Sequence, residues 1–307
     1  MKTKQKNWFL LALLSGVLLA PSSLAVKSLG SDFDPFLINI IRFSVAAILL
    51  LPWTMHALPN LLGPGKRTAV TAALLMSVSA TCLVLAIHYG PASYVATLQL
   101  LAPLLLVWYS RRLIGEKIQK RLLVGLAFAA VGATVMTLVP IALQQRSDFV
   151  FYPLATLFGV INILFYPLST VEYRRANEKY HVPLTGLFGF SAILVVFINL
   201  LIWWLMGSHK PTEMSVVDWT ALAYLGVYVS LLSKLINVRC YEKVGSALMG
   251  SISYFGSLLA ILLPIVVLDE KLAVETAIGG CLIVIGLAVA EIRTSGHHTR
   301  RHIFHHH

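Results

Sequence analysis

The sequence predicts an all-α integral membrane protein of ten transmembrane helices, arranged as two inverted five-helix repeats. Three observations carry that prediction. The composition, 58% hydrophobic and 12% charged with a mean hydropathy of +0.80, leaves too little polar surface to cover a soluble chain of 307 residues. Ten apolar runs follow one another, each near the roughly 20 residues that a helix needs to cross a bilayer. Lys and Arg gather on alternate connections between those runs, as they do in cytoplasmic loops.

The runs cover 8–26, 36–58, 69–89, 91–110, 121–143, 149–173, 183–206, 217–242, 245–268 and 272–291. They are too long and too uniformly apolar for barrel strands, which alternate over about ten residues, so helices are the only spanning structure left. The first, preceded by "MKTKQK", has the zones of a secretory signal peptide. Gly16, Pro21, Ser22 and Ser23 nevertheless continue it to full span length, and its removal leaves the sixth helix without a counterpart, so it reads as a retained helix. The second carries Arg42, for which two roles are open: pairing with backbone carbonyls or a helix end, or contact with a substrate. The third closes on His88 and Tyr89 before Gly90 and Pro91, as interfacial anchors or, for His88, as a proton acceptor at an outer gate.

On the fourth helix Ser93, Thr97 and Leu101 share a face, and on the ninth Ala247, Ser251 and Tyr254 do the same. Thr97 matches Ser251, and Gln99 matches Ser253 on another face, so one pair is expected to line a lumen and the other to pack. Small hydroxyl residues at such spacings serve equally well as helix-packing contacts, and the stripes of Ser93 and Ser251 are taken as the lumen. The sixth helix adds Asn162 and Tyr166, one turn apart, and the first adds Ser23. The eighth contains "YVSLLSKLIN", 228–237, with Lys234 in mid-span. A charge there costs about 2.5 to 3.5 kcal/mol on insertion scales. Lys234 sits about 15 Å from the cytoplasmic end, beyond the reach of a snorkelling lysine, and Arg239 and Lys243 already hold the interfacial positions. Ser230, Ser233 and Asn237 surround it with polar groups, so Lys234 is the leading candidate for substrate or counterion binding and for a proton carrier.

Of the 24 Lys and Arg residues, Lys27, Arg146, Lys210 and Lys271 fall outside in this topology, and Arg42 and Lys234 lie within spans. The rest, from Lys2 to Arg301, fall on the cytoplasmic side, which puts both termini in the cytoplasm. The net charge of +11 is spread over short loop clusters, which suits anionic headgroups and argues against nucleic acid. Cys82, Cys240 and Cys281 stand alone, without ligand spacing for a metal or a disulfide framework. The histidine-rich tail is expected to be disordered and not a metal site.

A single constant shift superimposes "IGEK" (114–117) on "LDEK" (268–271), Gly125 on Gly279 and Gly132 on Gly286. Glycines seven apart allow close helix approach, so both halves use the same packing device. The chain therefore divides into an N-terminal repeat, 1–147, an inverted C-terminal repeat, 148–292, and a cytoplasmic tail, 293–307.

With the segments "NIIRFSVAAILLLP", "YGPASYVATLQLLAPLLLVWYSRRLIGEK" and "YEKVGSALMGSISYFGSLLAILLPIVVLDEK" in order, the chain resembles the drug/metabolite transporter superfamily, in its ten-helix EamA-type branch. The resemblance implies a transporter of the cytoplasmic (inner) membrane working by alternating access, its cavity lined mainly by helices 1, 3, 4, 6, 8 and 9. One departure is visible: the mid-helix proline is present as Pro103 in the fourth helix, but Ser257 stands at the paired place in the ninth.

No Asp or Glu falls at mid-span, which disfavours lipophilic cations and the usual carboxylate proton relay. The expected substrate is anionic or zwitterionic, with a binding set of Lys234, Thr97, Ser93, Ser251, Tyr254, Asn162, Tyr166, Ser230, Ser23 and Arg42. The chain carries none of the motifs HExxH, GxSxG or the phosphate loop, so it is not expected to be an enzyme, and no cofactor is implied. Secondary transport of small polar metabolites by alternating access, chiefly export of amino acids or related carboxylates, is the function expected, with Lys234 as a candidate proton carrier. An organic-anion or nucleotide-sugar exchanger and a lipid-handling membrane protein are the alternatives.

Overall fold

The computed structural model describes residues 3–29, 33–115, 152–207, 214–244 and 246–267, with scattered helical positions between 120 and 135 and between 278 and 289. The first predicted span is a helix broken by its proline: α1 (Thr3–Leu19) and α2 (Ser22–Ser28) meet at Ala20 and Pro21, where the missing N–H interrupts the ladder. α3 (Pro35–Leu62) opens on an Asp34 cap, whose carboxylate accepts from the N–H groups of Phe36 at 2.8 Å and Leu37 at 3.3 Å. α4 (Lys66–Tyr89) follows a Gly-Pro-Gly turn.

The fourth span is divided. α5 (Ala92–Leu98) gives way to a 3-10 turn at Gln99–Leu101, then α6 (Ala102–Tyr109) and a π turn at Ser110–Ile114. Pro103 cannot donate to the carbonyl of Gln99, and that carbonyl instead accepts from the N–H of Ala102 in the tighter turn.

α7 (Pro153–Tyr180) starts on proline, where no donor is lost, and ends in a left-handed His181 at φ 53°. The N–H of His181 donates to the Asn177 carbonyl, the 5→1 bond of an αL cap, and that of Val182 donates to the Ala176 carbonyl. α8 (Leu184–Met206) returns antiparallel. α9 (Val216–Ala223) begins in a capping box between Ser215 and Asp218 and passes into a ten-residue π segment, Tyr224–Ser233. α10 (Lys234–Val244) and α11 (Ser246–Val267) complete the described helices. α11 runs unbroken through Ser257, so the asymmetry between Pro103 and Ser257 is written into the backbone.

Six of these helical runs are long and apolar enough to cross a membrane: Asn7–Ser28, Pro35–Leu62, Lys66–Tyr89, Pro153–Tyr180, Leu184–Met206 and Val216–Asn237. The fifth and tenth predicted spans lie largely outside the described residues, as does the tail; the four glycines of the repeat match, Gly125, Gly132, Gly279 and Gly286, are described, each helical and buried. Every described regular element is helical.

α3 packs along α8 and α4 along α7, around a core that includes Phe43, Leu50, Met76, Leu187 and Phe188. α1 packs against α10 and α11, and α11 also meets α5 and α6. Three buried side chains missed as a group in the sequence tie the first wall together. Asn39 Nδ2 donates to Asn199 Oδ1 at 3.2 Å and to the Ala80 carbonyl at 3.3 Å, and Asn199 Nδ2 donates to Thr81 Oγ1 at 2.9 Å. In a membrane such bonds hold helices that have no hydrophobic drive to associate.

Candidate functional site

Between these walls lies a cavity of about 180 Å³. Its lining comes from α1 and α2 (Ser15, Gly16, Ser22, Ser23), α3 (Arg42, Phe43), α4 (Met76, Ser79, Leu83), α5 to α6 (Ala96, Gln99, Pro103), α7 (Asn162, Tyr166, Thr170), the π segment and α10 (Val229, Ser230, Lys234, Asn237) and α11 (Ile252, Ser253, Gly256, Ser257).

Of the predicted binding set, Ser23, Arg42, Asn162, Tyr166, Ser230 and Lys234 are brought together on this cavity. The side chains of Ser93, Thr97, Ser251 and Tyr254 lie outside the described residues. The lumenal stripe assigned to the fourth helix needs correcting at its third member: Leu101 is 43% exposed, whereas Ala96, Gln99 and Pro103 line the cavity. Ser253, the partner of Gln99 in the repeat match, lines it too. Both faces carry one polar pair, so polarity alone did not distinguish the lumenal face from the packing face.

Lys234 follows directly on the π segment, and its Nζ stands 3.8 Å from the centroid of the Tyr166 ring. The ring face supplies negative electrostatic potential to an ammonium that has no carboxylate partner among the described residues. Helix position is secured by neighbours: Ser233 Oγ donates to the Ser15 carbonyl at 3.0 Å, Tyr224 Oη to the Leu18 carbonyl at 2.6 Å and Cys240 Sγ to the Trp8 carbonyl at 3.6 Å. These three contacts stitch the eighth span to the first along its length.

Arg42 is 5% exposed, and its Nε has no hydrogen-bond partner. The backbone-carbonyl pairing considered for it is absent; its described contact is with the Phe43 ring, 4.7 Å from Cζ to centroid. The hydroxyls of Ser23 and Ser230, both buried, are likewise without partners. Asn162 differs, because its Nδ2 donates at 2.9 Å to both the carbonyl and the hydroxyl of Ser79 and so ties α7 to α4. Its amide nitrogen is a structural clamp at the cavity wall. No Asp or Glu lines the cavity among the described residues, which leaves two cations facing a shared space.

A model of the EamA-like transporter family matches residues 6–138 and 153–291. The chain belongs to the EamA-like transporter family. Similar proteins include an uncharacterized transporter of Clostridium kluyveri, 21% identical over 92% of each chain. The uncharacterized inner membrane transporter YedA of Escherichia coli K12 is 27% identical over 76% of this chain and 73% of its own. A solved crystal structure, 21% identical, superposes with a TM-score of 0.71 over 95% of this chain and 97% of the other, and shares the fold. As an EamA-like transporter the chain is a multi-pass membrane protein.

Proposed function

We propose that this EamA-like transporter is a ten-helix secondary transporter of the cytoplasmic membrane that exports small polar metabolites, amino acids or related carboxylates, by alternating access. The observation that carries the reading is the cavity itself: it presents Arg42 and Lys234, buried hydroxyls without partners, and no described carboxylate. A membrane-embedded charge is costly, and it is retained where it meets a charged or polar cargo. The absence of an acidic residue from the described lining disfavours lipophilic cations.

Two inverted halves, 1–147 and 148–292, are supported by the pattern of helix partners. α1 meets α10 and α11, while α7 meets α4 and α6; exchanging the halves turns the first set of contacts into the second. The α3–α8 contact and the contact of α11 with α5 and α6 map onto themselves under the same exchange. The two stretches matched by the family model are of similar length and divide near the same point. Lys234, with only an aromatic face as partner, is the group available for proton coupling.

The test is uptake and counterflow in proteoliposomes with a panel of labelled amino acids, organic acids, nucleotide sugars and lipophilic cations, with and without a pH gradient. Saturable movement of anionic or zwitterionic solutes is expected. Robust movement of a lipophilic cation, or of lipid alone, would remove the reading.

A further inference from the structure

The buried side-chain atoms without hydrogen-bond partners among the described residues include Ser23 Oγ, Arg42 Nε and Ser230 Oγ. All three residues line the one cavity, and each is more than nine-tenths buried, at 8%, 5% and 2% exposure. Buried polar atoms in native proteins find partners, and one that does not is a place where a bound group belongs. Three converging from three different helices, two hydroxyls and a guanidinium, make a donor set for an oxyanion.

The packing holds them close. Val26, Ile38 and Val229, each within one turn of Ser23, Arg42 and Ser230 respectively, belong to one apolar cluster. Gly226, one turn before Ser230, lies so close to α3 that a Cβ added there would meet Val45 at 3.2 Å and the Arg42 carbonyl at 3.4 Å. One turn beyond Ser230 on the same helix stands Lys234, backed by the Tyr166 ring. The cavity thus has two cationic points on one track, with no described carboxylate between them.

Building on the proposed transport function, we infer that Ser23, Arg42 and Ser230 form an oxyanion subsite and Lys234 with Tyr166 a second cationic subsite, so that the preferred cargo is a small organic dianion. A zwitterion would bring its ammonium against one of two unneutralised cations, and a monoanion would leave one of them unpaired. A dicarboxylate and a small phosphate monoester share the required charge.

The experiment measures ligand-induced thermal stabilisation and counterflow of the full chain with succinate, butyrate and γ-aminobutyrate, which share one carbon skeleton, and with glycerol phosphate. Tightest binding is expected for a dianion, and the choice between succinate and glycerol phosphate identifies its source. Arg42→Gln should weaken dianion binding on the order of ten- to a hundredfold, as for loss of a charged hydrogen bond, while weakening butyrate far less. The pair Ser23→Ala and Ser230→Ala, which keeps both charges and needs no repacking of a cation, should weaken the dianion several-fold. Equal affinities for succinate, butyrate and γ-aminobutyrate, or a dianion affinity unmoved in both variants, would overturn the two-subsite inference while leaving metabolite transport standing. Transport of none of these or of any other small polar solute would remove both.

Discussion

Lys234 of α10 and Tyr166 of α7 meet as a cation over an aromatic face, Nζ 3.8 Å from the ring centroid, on the wall of the cavity that both residues line. The contact makes the ring, and not the phenol hydroxyl, the partner of the charge. Tyr166→Phe should therefore transport within about twofold of the native protein, whereas Tyr166→Leu should lose roughly two- to thirtyfold in apparent affinity, matching about 0.5 to 2 kcal/mol for such a pair. Counterflow KM values for both variants check this, and equal losses would show that the hydroxyl is what matters.

Lys234→Met removes the charge and keeps the volume. It should fold normally, as judged by monodisperse elution and an unchanged or raised thermal midpoint, because a desolvated cation is exchanged for an apolar side chain. Transport should be lost. Unchanged transport of every accepted solute would take Lys234 out of the mechanism.

Gly186 of α8 receives the methyl of Ala57 and the backbone of Trp53: an added Cβ would collide with the first and lie 2.9 Å from the carbonyl oxygen of the second. Gly186→Val should destabilise the protein by about 1 to 3 kcal/mol, the cost of overpacking against a backbone that cannot turn aside. Thermal unfolding in detergent reads the loss, and Gly207→Val, where an added Cβ meets nothing within 4 Å among the described residues beyond its chain neighbours but φ is 64°, provides a contrast in which strain acts without crowding.

Asn199→Leu deletes the bonds to Thr81 and Asn39 and strands their polar groups between helices. A loss of about 1 to 2 kcal/mol is expected, given roughly 0.6 kcal/mol for an average interhelical bond in a membrane. A double-mutant cycle with Thr81→Val should return a positive coupling; strict additivity would mean that the network holds nothing.

The topology has its own measurement. Single cysteines at Gly30 and Ser208 should react with an impermeant maleimide from outside, and one at Arg174 only after permeabilisation. The reverse pattern would invert the proposed orientation.

Helix existence was legible because each span is a long apolar run, and Lys234 stood out because its charge interrupts one. The ends were legible too: α3, α4, α7 and α8 begin and end within a few residues of the predicted second, third, sixth and seventh spans, apart from the extension of α7 to Tyr180. What stayed hidden depends on rotation and on partners far along the chain. Nothing local revealed that Gln99 and Ser253 line the cavity, since a helix shows its lumenal face only once its neighbours are known. Asn39 and Asn199, 160 residues apart, read as isolated polar residues until α3 and α8 were seen side by side. That Arg42 Nε has no hydrogen-bond partner among the described residues was hidden for the same reason: an arginine in a span reads alike whether a carbonyl awaits it or not.

The two walls of the bundle use glycine in opposite ways. Across α3 and α8, Gly186 and Gly189 are sockets filled by Ala57 and Thr54, so the helices are keyed together and cannot shift without lifting a knob from its hole. Across the first and ninth spans, glycine faces glycine: a Cβ on Gly16 would lie 3.6 Å from the Cα of Gly256, and one on Gly256 would lie 3.3 Å from the Cα of Gly16. At this point the two helices touch through backbone alone, and a methyl added at Gly256 could be seated only if the backbone of Gly16 gave way by a few tenths of an ångström.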